Sequence, residues 1–194
     1  MKVSQATQAT ELQRDLRALD ARTAELQGTV DRAAFEWNPP EGGWSVAQVF
    51  EHLCVATDDY LAVLRPLVAR LSSNDKTRAD LTWRPSFAGG LLAKSMVSPR
   101  KVSAPKVWTP GPVPRPNVIA EFLVRQQELG RLIAESANSE WNRVRLASPV
   151  SFLIRMNIGD AFTILVRHTE RHFKQIDDRL AQFAASRGEA FVAR

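Results

Sequence analysis

The sequence has very little cysteine: Cys54 is the only one among 194 residues. An internal disulfide needs two thiols and a thiolate metal cluster needs several, so this chain can form neither. The sequence also has no apolar run that approaches the roughly 18 residues of a membrane span. Residues 1–7 are too polar for the apolar part of a signal peptide. We therefore expect a cytoplasmic protein that has no membrane partner.

Nucleic-acid-binding motifs are missing as well, although the net charge is +5. The 26 basic residues are dispersed along the chain, and the sequence matches no helix-turn-helix, RNA-recognition or zinc-finger pattern. The densest basic group, Arg100, Lys101, Lys106 and Arg115, lies in a proline-rich stretch. We expect a solvated basic surface and no nucleic-acid partner. The ordinary balance of 44% hydrophobic and 24% charged residues predicts one globular domain over residues 1–194.

Apolar residues recur at intervals of three and four in four long stretches, and this spacing is typical of amphipathic helices. The spacing predicts helices over residues 12–33, 46–64, 118–135 and 160–183. Ser45 and Gln48 form a capping-box pattern before the second helix, and Pro66 predicts a kink or a break near Arg65. No run shows convincing strand alternation, and residues 141–156 fit either irregular chain or a short helix.

A long crossover, residues 72–116, separates the second predicted helix from the third. Within it we expect a short helical turn or two at residues 87–96. Six of the eleven prolines lie between residues 99 and 116, and this density favours extended or polyproline-like backbone. The pattern as a whole predicts an all-α fold: a four-helix bundle with a long proline-rich crossover between helices 2 and 3.

Only three histidines occur in the sequence, and each occupies a patterned position. His168 and His172 are four residues apart on the last predicted helix, so they lie one turn apart on one face, as two ligands of one metal ion require. His52 lies on the second predicted helix. At about 100° per residue, all three lie at the edge of an apolar stripe. Ordinary, partly exposed helix residues are the alternative, but the positions favour a divalent metal site in a cleft open to solvent.

Two motifs in this chain resemble those of the DinB/YfiT-like metalloenzyme superfamily. The motifs are Trp44-Ser45 followed by His52-Leu53, and a His-x-x-x-His-x-x-Gln-Ile run formed by His168, His172, Gln175 and Ile176. They occur in the expected order on the expected helices, and the resemblance spans most of the chain. It implies a four-helix bundle with a long crossover, a histidine triad of His52, His168 and His172 that binds zinc or nickel, and a homodimer.

The resemblance also implies a class of chemistry. Similar proteins include thiol-S-transferases that use bacillithiol or mycothiol, and a mycothiol-dependent maleylpyruvate isomerase. An ion held by three neutral histidines keeps an open position and lowers the pKa of a bound water or thiol. We therefore expect a metal-dependent thiol-S-transferase that acts on a small molecule, with a low-molecular-weight thiol as cosubstrate.

Three alternatives stay open at this point. The same ion would serve a metal-dependent hydrolase, and a non-enzymatic helical dimer would use the triad for metal binding alone. DNA binding is suggested by the family name only. Asp59, Glu170 and Gln48 are candidate catalytic residues, either as hydrogen-bond partners of the metal ligands or as proton-handling groups.

Overall fold

Helices make up most of the chain. The computed structural model describes residues 3–74, 80–98 and 103–188. Within these ranges the helices are α1 (Gln5–Thr29), α2 (Arg32–Glu36), α3 (Val46–Asn74), α4 (Phe87–Met96), α5 (Val118–Ser136) and α6 (Ile158–Ser186). The strands are β1 (Val3–Ser4), β2 (Thr82–Trp83), β3 (Arg145–Ser148) and β4 (Ser151–Asn157), and Lys106–Trp108 form a 3-10 turn. The predicted all-α fold is confirmed as a mostly helical architecture.

The four long helices, α1, α3, α5 and α6, pack on one another. α3 contacts both α5 and α6, and α1 contacts the same two helices. Their core includes the buried side chains Leu12, Phe50, Phe122 and Phe162, one from each helix. The ring centroid of Phe50 on α3 lies 5.9 Å from that of Phe173 on α6. Burial of this apolar surface fixes α3 against α6, the two helices that carry the histidines. Among the described helices, none combines enough length and hydropathy for a bilayer span.

Side-chain caps fix where the two histidine-bearing helices begin. The Ser45 hydroxyl accepts from the backbone N–H of Gln48 at 3.2 Å, and the Gln48 side chain accepts from the Ser45 N–H at 3.0 Å, so the predicted capping box is present. At the start of α6, Asn157 and Asp160 accept from each other's backbone N–H at 2.9 Å. β4 ends at Asn157, so this cap joins the strand directly to the helix. Asn117 precedes α5, but its side chain makes no capping hydrogen bond.

α1 differs from its predicted bounds. It begins at Gln5 rather than at residue 12, and it ends at Thr29. The extra first turn is rich in polar residues, and it is held by a buried polar contact: the Gln5 amide donates to the backbone carbonyls of Ala137 and Ser139, each at 2.7 Å. The spacing of apolar residues cannot detect a turn that is fixed in this way.

α3 continues through Pro66 to Asn74, so the predicted break does not occur. A proline in a helix interior removes one backbone hydrogen bond and costs about 3 kcal/mol. The neighbouring residues Leu64 and Val68 are fully buried, and their packing holds this part of the helix in place. Tertiary burial therefore outweighs the local cost of Pro66.

Two short antiparallel sheets correct the prediction that no strand forms. β1 pairs with β2, with Val3 opposite Trp83. β3 and β4 form a hairpin over residues 145–157, which covers most of the segment 141–156 that we predicted to be irregular or helical. Phe152 and Leu153 are adjacent in β4 and both are 77% exposed. This strand therefore lacks the alternation of buried and exposed residues by which strands are recognised.

The crossover folds back onto the long helices. Its helix α4 matches the predicted helical turns at residues 87–96. Gly89 of α4 packs so closely on α6 that a Cβ would lie 2.3 Å from the carboxyl carbon of Asp160. Residues 75–79 and 99–102, with Pro99, Arg100 and Lys101, lie outside the described residues. The described remainder, residues 103–116, is irregular chain apart from the 3-10 turn.

Gly159, in the first turn of α6, tests the packing around the start of that helix. A Cβ at this position would lie 2.5 Å from the indole nitrogen of Trp83 and 2.6 Å from a ring carbon of Trp141. We expect Gly159→Ala to lower the free energy of unfolding by about 1–3 kcal/mol, because the buried rings must shift. Chemical denaturation followed by circular dichroism measures the change.

Gly130→Ala on α5 is the matched control. A Cβ there would meet Leu16 at 3.8 Å, which is an ordinary contact, and alanine favours a helix interior over glycine by up to about 1 kcal/mol. We expect this variant to be neutral or stabilised. Equal losses of stability in the two variants would contradict the packing described around Gly159.

Candidate metal centre

The three histidines of the sequence come together between α3 and α6. His52 and His168 are 116 positions apart in the chain, yet their Nε2 atoms lie 3.1 Å apart. The Nε2 atom of His172 is also 3.1 Å from that of His168. One ring nitrogen from each residue lies within 4.8 Å of the other two. The packing of α3 on α6 and the one-turn spacing on α6 together produce this convergence.

Two of the three histidines are more buried than their helical positions predicted. The exposed fraction is 1% for His52 and 8% for His172, whereas His168 is half-buried. The Trp44 ring lies 4.9 Å from the His52 ring between centroids, and the Trp108 ring lies 6.4 Å from the rings of both His52 and His168. The expected open cleft is therefore wrong for His52 and His172. A helical projection places a residue on its own helix and does not show which loops cover it.

Hydrogen bonds at the outer ring nitrogens set the tautomers of two histidines. The Nδ1 atom of His52 lies 2.8 Å from the backbone carbonyl oxygen of Trp108, and Nδ1 of His172 lies 2.9 Å from the side-chain oxygen of Gln175. Both oxygens are acceptors, so each Nδ1 carries the proton and donates. Each Nε2 atom then presents its lone pair to the centre, which is the form in which histidine binds a metal ion.

The nitrogens at the centre are short of protons. His52 and His172 present Nε2 lone pairs, and a neutral His168 has one proton to offer. At most one of the two 3.1 Å contacts is then a full hydrogen bond, and among the described residues the other lone pair has no donor of its own. Neighbouring nitrogens in a tetrahedral zinc site are about 3.4 Å apart, which is close to the two 3.1 Å distances to Nε2 of His168. Imidazole suits nickel as well as zinc, so the triad fits the metal that the sequence resemblance implies.

Burial lowers the pKa of all three histidines, because surroundings of low polarity disfavour the charged imidazolium. The pKa of His172 falls to about 3, chiefly through burial and then through repulsion from His52. The pKa of His168 also falls well below its usual value, through burial and then through repulsion from His172 and His52. The triad is therefore neutral at physiological pH, as metal ligands must be.

Gln48 and Glu170, two of the candidate catalytic residues, bond elsewhere. The Gln48 side chain caps α3, and its amide donates to the backbone carbonyl of Gly111 at 3.0 Å, which ties the crossover to the start of that helix. Glu170 forms an ion pair with Arg167. Within the described part of the chain, neither side chain is hydrogen-bonded to a histidine of the triad.

Asp59, the third candidate, reaches the site indirectly. Its carboxylate accepts a hydrogen bond from the indole N–H of Trp108 at 2.7 Å, and the carbonyl of that same tryptophan holds His52. Trp108 and Gln175 are not among the candidate catalytic or metal-binding residues predicted from the sequence. Gln175 had a signal in the sequence, since it follows His172 by three residues, which is one helical turn. Trp108 had no such signal in the sequence, because no helical or strand period connects it with His52.

A profile of the DinB superfamily matches residues 11–176 of this sequence. The chain belongs to the DinB superfamily. The matched segment includes the whole crossover and all three histidines, and the family is a metal-binding one. The triad of this DinB-superfamily chain thus lies entirely within the segment that it shares with the family. No curated protein and no solved structure matches the sequence.

The lowered pKa values predict how the metal-free protein responds to acid. In the unfolded chain each histidine has a pKa of about 6.5, whereas the folded triad resists protonation, so the unfolded state binds more protons below that pH. The stability of the metal-free protein should therefore fall as the pH drops from about 7 to about 5. Urea unfolding in the presence of a chelator measures this dependence.

A His168→Gln, His172→Gln variant provides the comparison, because glutamine does not titrate. Its stability should depend less steeply on pH over the same range, since one histidine of the triad remains. If the two proteins show the same slope, the acid sensitivity belongs to other groups.

Proposed function

We propose that this protein binds one divalent metal ion, zinc or nickel, through His52, His168 and His172 and transfers a thiol to a small electrophilic substrate. The observation that carries the proposal is the convergence of three neutral imidazoles, two of them buried and that of His168 half-buried. The Nε2 atoms of His52 and His172 each lie 3.1 Å from Nε2 of His168. When bound, such an ion lowers the pKa of a thiol or a water molecule beside it.

The chain's own residues provide the surroundings that this chemistry needs. Trp108 is 7% exposed and, with the half-buried Trp44, covers the triad with apolar rings, which keeps bulk water from His52 and His172. His168 is the histidine that retains solvent exposure, so access for a substrate is best on its side. The carbonyl of Trp108 and the amide of Gln175 hold two of the imidazoles in the binding tautomer.

The choice of a thiol over water rests on the carboxylates near the site. Metal-dependent hydrolases commonly use a carboxylate beside the metal as a general base for water. In the described residues Asp59 is bonded to Trp108, and Glu170 is paired with Arg167. A thiol needs less help, because its pKa of about 8.5 is already near neutral and a metal lowers it further. A hydrolase and a non-enzymatic metal-binding protein are the competing proposals.

Metal content is the direct test of the site. We expect the purified protein to hold about one zinc or nickel ion per chain, and a His168→Ala, His172→Ala variant to hold almost none, because two of three ligands are gone. Lys174→Ala is the matched control, since Lys174 is exposed on the same helix. Elemental analysis of the three proteins decides the assignment, and equal metal content in all of them would reject it.

Thiol dependence tests the chemistry. Turnover of a halo-arene should require metal and an added thiol such as bacillithiol or mycothiol together, and the rate should rise with pH up to the lowered pKa of the thiol. His168→Gln should reduce the rate at least as much as loss of a ligand's hydrogen-bond partner, about 10- to 100-fold. This variant is preferable to His52→Ala, because His52 is 1% exposed and its removal would also leave a cavity in the core.

The outcomes separate the competing proposals. Metal-dependent hydrolysis of an ester or amide without thiol would favour the hydrolase, and bound metal with neither activity would favour the non-enzymatic protein. The homodimer and the cytoplasmic location expected from the sequence stay predictions. Light scattering on the purified protein measures the first of them.

A further inference from the structure

One tryptophan of the crossover bridges two positions on α3. The backbone carbonyl of Trp108 accepts from Nδ1 of His52 at 2.8 Å, and its indole N–H donates to the Asp59 carboxylate at 2.7 Å. His52 and Asp59 are seven residues apart, so they lie on the same face of α3, two turns from each other. Trp108 is therefore held at both ends by one helix.

The position of the Trp108 carbonyl depends on how this part of the crossover is anchored. Trp108 ends the 3-10 turn that begins at Lys106, and the turn packs on α3. Residues 103–105 and 109–116, the described chain on either side of the turn, are irregular. The anchors of Trp108 itself are its buried ring, which lies 6.2 Å from the Tyr60 ring between centroids, and the bond to Asp59.

Asp59 differs from the other residues of this arrangement because it is exposed to solvent. It fills no space in the core, and the sequence offers no packing reason for a carboxylate there. Its neighbour Asp58 points to a different partner, Arg125, at 2.7 Å. The two adjacent carboxylates on α3 therefore have different partners: Asp58 pairs with α5, and Asp59 binds the crossover.

We propose that Asp59 is a positioning residue of the metal centre, which holds Trp108 so that the carbonyl of Trp108 keeps His52 in its metal-binding tautomer. This inference rests on the proposed metal binding. Asp59 acts on the metal site indirectly, through two hydrogen bonds. Its carboxylate holds the indole of Trp108, the carbonyl of Trp108 holds Nδ1 of His52, and Nε2 of His52 then faces the metal. Loss of the Asp59 carboxylate releases the turn at residues 106–108, and His52 is then free to rotate or to exchange its proton between ring nitrogens.

Zinc affinity tests the proposal without reference to activity. The dissociation constant of the full chain for Zn²⁺ is measured by competition with a chromophoric chelator for the wild type, Asp59→Ala, Asp59→Asn and Asp58→Ala. We expect Asp59→Ala to weaken binding by about tenfold, the lower end of the loss seen when the hydrogen-bond support of a ligand is removed. Asp59→Asn should bind nearly as well as the wild type, because its amide oxygen can still accept from the indole.

Asp58→Ala is the matched control for charge. It removes the same negative charge one residue away while leaving Trp108 untouched, so its zinc affinity should stay close to that of the wild type. Circular dichroism of all four proteins checks that they fold, which we expect because Asp59 is exposed and because Arg125, the partner of Asp58, also pairs with Glu121.

The possible results separate this inference from the function on which it rests. If the wild type binds neither Zn²⁺ nor, in the same competition assay, Ni²⁺, the proposed function fails and the positioning role fails with it. If the wild type and Asp59→Ala bind zinc equally, the metal site stands and the positioning role is rejected. Equal losses in Asp59→Ala and Asp58→Ala, or in Asp59→Ala and Asp59→Asn, would indicate a charge effect and also overturn the role of the hydrogen bond.

Discussion

The Nε2 atoms of three histidines meet between α3 and α6, and neutral imidazoles carry too few protons there for each nitrogen to form a hydrogen bond. The arrangement of the residues around the triad depends on this shortage of donors. Charging the rings would relieve the shortage of donors, but burial and mutual repulsion oppose a charge there. The outer nitrogens of His52 and His172 are consequently bonded to fixed oxygens of Trp108 and Gln175. Such a centre is costly unless something positive occupies it, and this is the physical argument for a cation.

The helices themselves provide only part of the site. α3 and α6 bring the three histidines together, but a segment of the crossover that is irregular apart from one 3-10 turn covers the site and orients His52. Gln48 ties this segment near Gly111, and Asp59 ties it at Trp108. The crossover is therefore a component of the centre as well as a connection between helices, which gives a reason for its length in a chain of this size.

Much of this could be predicted from the sequence, and the failures have identifiable causes. Apolar spacing and the Ser45–Gln48 capping box located α3, and the spacing of His168 and His172 placed both residues on one helical face. These are local signals, repeated within a turn or two. The burial of His52 depends on Trp108, which lies 56 positions away, and no periodic pattern connects the two. The β3–β4 hairpin escaped prediction because Phe152 and Leu153 are both exposed.

The direct junction of β4 and α6 restricts how the length of the chain can change. Asn157 caps the helix and His168 lies eleven residues further on, with no loop between them to absorb an insertion. Each residue added in this interval would rotate the histidine pair by about 100° and displace it by about 1.5 Å along the helix, which carries both rings away from His52. The turn between β3 and β4 has no such link to the site. Insertions or deletions before Asn157, in the β3–β4 turn, therefore leave the histidine triad intact. Insertions or deletions between Asn157 and His168 would disrupt it.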